Sequence, residues 1–363
     1  LRAVSRILFG ERGAARPGGP DDRASRTTSG AETTSMTISS RTARPLAAAL
    51  ALAGMLAAGA ATAQSSSYPN RNITLVLPFA AGSGTDTTTR VIAKELGEAL
   101  GVSMVIDNKA GANGSIAASF VARAAPDGYT LFVTTNTTHS ANPYLLKSLP
   151  YEPMKDFTPI ARTGDLPFML VINPQVPANS VADLIALAKK EPGKYTYASG
   201  SSSSSVSGAT FAHLAGLDLL HVPYKSSPPA LTDVIAGRVS MMFVDVPTGL
   251  PHVKAGALKA LAVTTSYRSK LLPELPTMDE AGVKGFDITS WQGYLGPANL
   301  PKDIVKKLNA EIRKVVERPD IRKQLADRGM EAFSSTPEEF EKFLKDQLVL
   351  WEKLIRNAKI EPQ

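Results

Sequence analysis

The 363-residue sequence has no cysteine, which excludes structural disulfides, thiolate metal sites and a cysteine nucleophile. Aromatic residues make up only 6%, too few for the stacking platforms that single-stranded nucleic acids require. A surplus of positive charge is also largely missing once the chain is divided. The formal charge is +7, but residues 1–63 hold eight arginines against four acids, and the remainder carries 32 basic and 29 acidic side chains, or +3. A basic polymer-binding surface is therefore not indicated, and no nucleic-acid partner is expected. After residue 63 no run of 18 apolar residues occurs, so no membrane span is expected there.

Motifs of catalysis are missing too. Gly82-Ser83-Gly84 begins a G-x-G, but Thr87 stands where a dinucleotide fingerprint needs its third glycine. There is no phosphate-binding G-x-x-x-x-G-K-[ST] and no G-x-S-x-G nucleophile elbow. The four histidines, His139, His213, His221 and His252, form neither H-E-x-x-H nor an i, i+4 pair, so no metal and no cofactor is expected. His221, alone at the head of a strand, reads as a satisfied structural residue. A Ser/His/Asp constellation assembled by the fold stays open, because spacing does not exclude one.

What is present begins with a leader. Residues 1–35 are rich in Arg, Gly, Ser and Thr, lack an apolar period and read as a non-native or disordered upstream segment, with Met36 as initiator. From there, Arg41 and Arg44, a 15-residue apolar stretch from Leu46 to Ala60, and Ala61-Thr62-Ala63 have the layout of a signal peptide, 36–63, cleaved after Ala63. The leader predicts an exported protein.

The organising stretch is ITLVLPFAAGSGTDTTTR, residues 73–90. Ile73, Leu75 and Leu77 alternate as a buried strand that Pro78 stops. A turn of very small residues follows, then a helix from Thr85 with Val91, Ile92, Leu96 and Leu100 on one side and Gly101 closing it. The free backbone N–H groups at such a helix start suit an anion. The stretch alone fits equally a tight turn that needs small residues only for packing.

Downstream, Met104–Ile106 and Tyr129–Thr134 read as strands, Asp107–Gly114 as a turn tolerant of positive φ, and Ser115 as the cap of a helix whose Ile116, Phe120 and Val121 share a face. This β-α-β-α-β order predicts an open parallel sheet. The loop 135–140, TNTTHS, leaves the carboxyl end of the third strand, where ligands sit in open α/β sheets. The segment 143–159, broken by prolines, reads as an irregular crossing. Strands are expected at 168–172, 195–198, 221–224, 239–244 and 258–264, and helices at 180–190, 206–215, 229–236 and from 301 to the end. Ser199–Ser207, SGSSSSSVS, joins a strand to a helix as Gly82–Thr85 does, which suits a second anion contact; a disordered linker is the alternative.

The sequence resembles the Bug family of periplasmic solute receptors, the binding proteins of tripartite tricarboxylate transporters, over Tyr68 to Pro362. The resemblance rests on PFAAGSGTDTTTR (78–90), NKAGANGSIAASFVARAAPDGYTL (108–131), HVPYKSSPPALTDVIAGRVSMMF (221–243), ALAVTTSYRSKLLPELPTMDEAG (260–282) and WQGYLGPANLP (291–301), in that order. It implies an α/β, two-lobed periplasmic-binding-protein fold (type II-like), each lobe an α/β sandwich with a hinge between, and the periplasm as its localisation. Lobe 1 would be 68–167 plus 287–363, and lobe 2 would be 168–286.

The resemblance further implies a small carboxylate held in the cleft, by an A-G-G-x-x-D loop and an opposing second-lobe loop, through backbone groups and ordered water. The ligand-binding residues expected on both grounds are Phe79, Ala80, Gly82, Ser83, Gly84, Thr85, Asp86, Thr135, Asn136, Thr137, Ser201, Ser202, Ser203 and Asp245. Asp86 is expected either to cap its helix or to meet a cationic group on a zwitterionic ligand. Three departures from the family pattern stand out. Ser83 replaces a second glycine, and Ser205, Val206 and Ala209 stand where histidine, leucine and glutamate are common. Asp245 falls where asparagine is frequent. The implied partners are membrane permease subunits, with the receptor a monomer and not an enzyme. A secreted serine-dependent hydrolase and a ligand receptor for a sensory partner are the alternatives.

Overall fold

The structure is a computed structural model that describes residues 68–270 and 272–362. The expectations for 1–35 and the 36–63 leader fall outside the described residues. Strand β1 (Ile73–Leu77) lies between β2 (Met104–Asn108) and β3 (Thr130–Thr135), parallel to both. The β-α-β-α-β reading of this region holds. The helix Gly84–Leu100 starts one residue earlier than expected: Ser83 caps it by accepting the Asp86 N–H at 3.3 Å, and Gly101 ends it in the left-handed conformation. Its Ile92 and Leu96 pack on β1 and β3 through Leu75, Leu77 and Val133. Residues 111–114 all have positive φ, as the glycine- and asparagine-rich turn requires.

The sheet then turns mixed. β3 pairs antiparallel with β9 (Thr289–Pro297), and β9 pairs antiparallel with the long strand β4 (Phe157–Ile172). Over Phe168–Ile172, β4 pairs instead with β7 (Met241–Asp245) and β8 (Lys259–Val263). β5 (Thr196–Ser199) joins β7 to β6 (Leu220–Pro223) in parallel, and β10 (Glu331–Ala332) adds to β4. The path of the sheet is β2-β1-β3-β9-β4-β7-β5-β6.

Several expectations are corrected. β4 begins at Phe157, inside the segment read as an irregular crossing. Register shifts at Pro159/Ala161 and Arg162/Gly164 let a proline-bearing strand stay paired. β9 lacks an apolar alternation because Gly293 and Gly296 lie against Phe340 and Leu300. The helix Val246–Lys254 is absent from the sequence reading because of its prolines; Pro247 sits in the first turn, where no N–H is needed. On the helix Ser115–Ala122 the buried face is Ala117, Ala118 and Val121, while Ile116 and Phe120 are exposed. Segment 135–140 is not an open loop: Thr135 ends β3 and Thr137–Ala141 form a π-helical turn. The serine run is not a linker, since Ser201 caps a helix that runs Ser202–Ala215.

Beneath the C-terminal region, Leu308, Ile312, Val315 and Val316 of the helix Lys302–Glu317 close the core under β1 and β3. The last helix, Pro337–Asn357, opens on a Thr336–Glu339 capping box. It buries Phe340 and Leu344 against Trp291, and Trp351 and Ile355 in the core that includes Phe168 and Phe243.

Candidate functional site

Four helix starts converge on one cavity. The helix Gly84–Leu100 contributes Ser83, Gly84 and Thr85, and the helix Ser202–Ala215 contributes Ser201 and Ser203. The helix Ser227–Ile235 contributes Ser227, and Asp245 is the cap of the helix Val246–Lys254. Phe79, Thr137, Leu166, Phe168 and Ser290 complete the lining. The first N–H groups of each helix have no acceptor within it, and together with the aligned peptide dipoles they give this point a positive field. The cavity volume is about 20 Å3, room for about one water.

Each wall is fixed by bonds that cross long stretches of chain. The Ala80 N–H donates to Ser226 Oγ at 3.1 Å, tying the turn after β1 to the turn before Ser227. Asn136 Nδ2 donates to Ser203 Oγ at 2.6 Å, and Asn136 Oδ1 accepts from Ser290 Oγ at 2.5 Å. Ser202 Oγ donates to Asn142 Oδ1 at 3.2 Å. Thr88 Oγ1 donates to Gln292 Oε1 at 2.8 Å, anchoring the first helix to β9.

The expected site residues thus divide. Phe79, Ser83, Gly84, Thr85, Thr137, Ser201, Ser203 and Asp245 line the cavity. Ala80, Gly82, Thr135, Asn136 and Ser202 stand behind the lining, where several supply the bonds just described. Asp86 is turned away as well. Its Oδ2 accepts the Gly82 N–H and Arg90 Nε, and its Oδ1 accepts Arg90 Nη2 and Asn108 Nδ2, at 2.9 to 3.1 Å. Burial works to raise its pKa, but these bonds from Arg90, Gly82 and Asn108 hold it below the usual carboxylate range.

Leu166, Phe168, Ser227 and Ser290 are lining residues that the sequence reading misses. Three arrive through strand register: Leu166 stands opposite Ser290, and Phe168 opposite Asp245. Ser227 carries a signal, since Ser226-Ser227-Pro228 before an apolar run marks a helix start.

Two residues of the lining stand out. Thr137 Oγ1 is buried, with the residue 1% exposed, and has no hydrogen-bond partner. Asp245 is 8% exposed, and the Thr248 N–H and Oγ1 donate to its Oδ1 at 2.9 and 2.5 Å. Burial pushes the Asp245 carboxyl above its ordinary range, against those bonds.

Residues 88–360 match the model of a family described as the tripartite tricarboxylate transporter family receptor. Protein BugT of Bordetella pertussis is 32% identical over 302 residues, 82% of this chain and 93% of BugT. Rpa4515 of R. palustris, solved with adipate, superposes with a TM-score of 0.80 at 36% identity, covering 82% of this chain and all of the other. MatC of Rhodopseudomonas palustris, solved with bound malate, gives a TM-score of 0.75 at 32% identity over 79% of this chain and all of the other.

Proposed function

This chain belongs to the tripartite tricarboxylate transporter receptor family, and on that premise we propose that it captures a small organic anion in the cavity between the Gly84 and Ser203 helix starts and delivers it to permease subunits in the membrane. The observation that carries this reading is Thr137 Oγ1. A buried hydroxyl without a partner costs about 1–3 kcal/mol, and this one belongs to a cavity ringed by helix starts. A ligand carboxylate that accepts from Thr137 and from the Gly84 and Thr85 amides would satisfy all of them. The adipate and malate held by the two neighbours are consistent with such a ligand.

Two lobes, 68–167 plus 287–363 and 168–286, would close over the anion. β4 changes partners between Pro167 and Phe168, and the chain returns near Ile288, so the hinge belongs there. A volume of one water is far less than a dicarboxylate needs, which makes the described arrangement a closed one that must open to load. Among the described residues no helix is long and apolar enough to cross a membrane.

Hydrolysis by a loop serine is the second reading, because Ser199 Oγ lies 2.7 Å from His221 Nε2. Among the described residues no carboxylate bonds the other ring nitrogen, and the ring stacks on Tyr197 at 4.7 Å, as a structural histidine does. Receptor action is the better-supported reading. Native mass spectrometry of freshly purified protein tests it. One equivalent of a retained small carboxylate is expected, and turnover of an ester or amide panel without stoichiometric binding would favour the hydrolase.

A further inference from the structure

The cavity holds one ionisable side chain, and it has the sign of the proposed ligand. Asp245 lies among serines, threonines, a glycine, leucine and phenylalanine, with no lysine, arginine or histidine in the lining. Both of its hydrogen bonds fall on Oδ1, where they cap its own helix. No other side chain among the described residues donates to Oδ2. The carboxylate faces the start of the first helix so closely that a Cβ built on Gly84 would stand 2.0 Å from Asp245 Oδ1 and 2.8 Å from its Cγ. The one side chain elsewhere at this corner that could have met a ligand cation, Asp86, is already spent on Arg90, Gly82 and Asn108.

Capping does not explain a charge here. Asparagine caps a helix as well as aspartate does, without placing an ionisable carboxyl in a closed cavity. A ligand with two carboxylates would place a second negative charge beside Asp245 with no cation between them, and like charges that close are unfavourable in a buried site. A ligand with one carboxylate and an ammonium changes the sign of that interaction. Its carboxylate takes the helix amides and Thr137, and its ammonium donates to the free Oδ2 in a charge-assisted hydrogen bond.

We infer that Asp245 is the specificity determinant of this cavity and selects zwitterions of the amino-acid type, a carboxylate paired with an ammonium, over plain dicarboxylates of the same length. This rests on the receptor reading and narrows it.

The test is calorimetric titration of the wild-type protein and the Asp245→Asn variant with matched pairs: aspartate against succinate and glutamate against glutarate, both enantiomers of each amino acid. The substitution keeps the cap and the side-chain volume, so the variant is expected to melt within a few degrees of wild type. The expected result is a wild-type preference of about tenfold or more for one zwitterion over its matched dicarboxylate. In D245N the preference is expected to collapse or reverse, because the new amide donates to a carboxylate. Equal or tighter wild-type binding of the dicarboxylate, with the ratio unchanged in D245N, overturns this inference and leaves the receptor reading standing. Binding of neither series by either protein overturns this inference too, and the receptor reading then falls only if the wider carboxylate screen also finds no ligand.

Discussion

Gly84 and Asp245, 161 positions apart in the sequence, meet face to face across the cavity, with no room at Gly84 for a single additional carbon. Gly84 has an ordinary helical backbone, so its role is close approach and not conformational freedom. Replacing it by alanine removes the approach while favouring the helix by up to about 1 kcal/mol. Gly84→Ala is therefore expected to force the two walls apart, to keep the overall fold at some cost in melting temperature, and to lose ligand affinity by about a hundredfold or more in calorimetry. A variant that binds normally would show that the two walls do not close on ligand as described.

Thr137→Val separates binding from stability. The substitution removes a hydroxyl that has no partner in this structure, at nearly constant shape. Stability of the ligand-free protein is expected to hold or rise by about 1 kcal/mol in urea unfolding, while affinity for the ligand falls by about tenfold. A loss of stability with affinity unchanged would assign Thr137 a purely structural role.

His139 sets a pH dependence. It is fully buried beside Phe132, Tyr151 and Phe157, its Nδ1 bonds the Thr134 hydroxyl, and burial pushes its pKa down to about 3. The unfolded chain binds that proton near pH 6.5, so it carries more protons than the folded one between pH 6.5 and about 3. The contribution is present in full above pH 6.5 and is lost as the pH falls through that window. His139→Asn is expected to be less stable at pH 7 but to show a flatter decline from about pH 6.5 to 4. Parallel stability curves for the two proteins would count against it.

The first strand, the capped helix after it and the positive-φ turn at 111–114 are legible because each rests on local chemistry: alternation, a serine cap, glycine and asparagine in sequence. The serine run is legible as a second helix entrance, although its residues form the first turn of the helix and not a loop before it. Leu166, Phe168 and Ser290 are not legible, because they reach the cavity through the β4–β9 and β4–β7 pairings. Those pairings depend on a 16-residue strand whose prolines and register shifts disguise it, and on a partner strand whose glycines erase the alternation. The roles of Asn136 and Asp86 are hidden for another reason. Polar side chains look alike in sequence whether they face a ligand or hold the wall behind it, and only their partners, Ser203 and Ser290 for one and Arg90 for the other, separate the two cases.

The central claim is that an organic anion is held by neutral donors at converging helix starts. The most direct measurement is a thermal-shift screen of the mature protein against small carboxylates, amino acids and neutral sugars, followed by calorimetry of each hit. At about 100 times its dissociation constant a true ligand stabilises the protein by roughly 2.7 kcal/mol. The account predicts that at least one compound bearing a carboxylate gives this shift with one-to-one binding, and that no neutral sugar does. A sugar that shifts the melting temperature while every carboxylate leaves it unchanged would contradict the account.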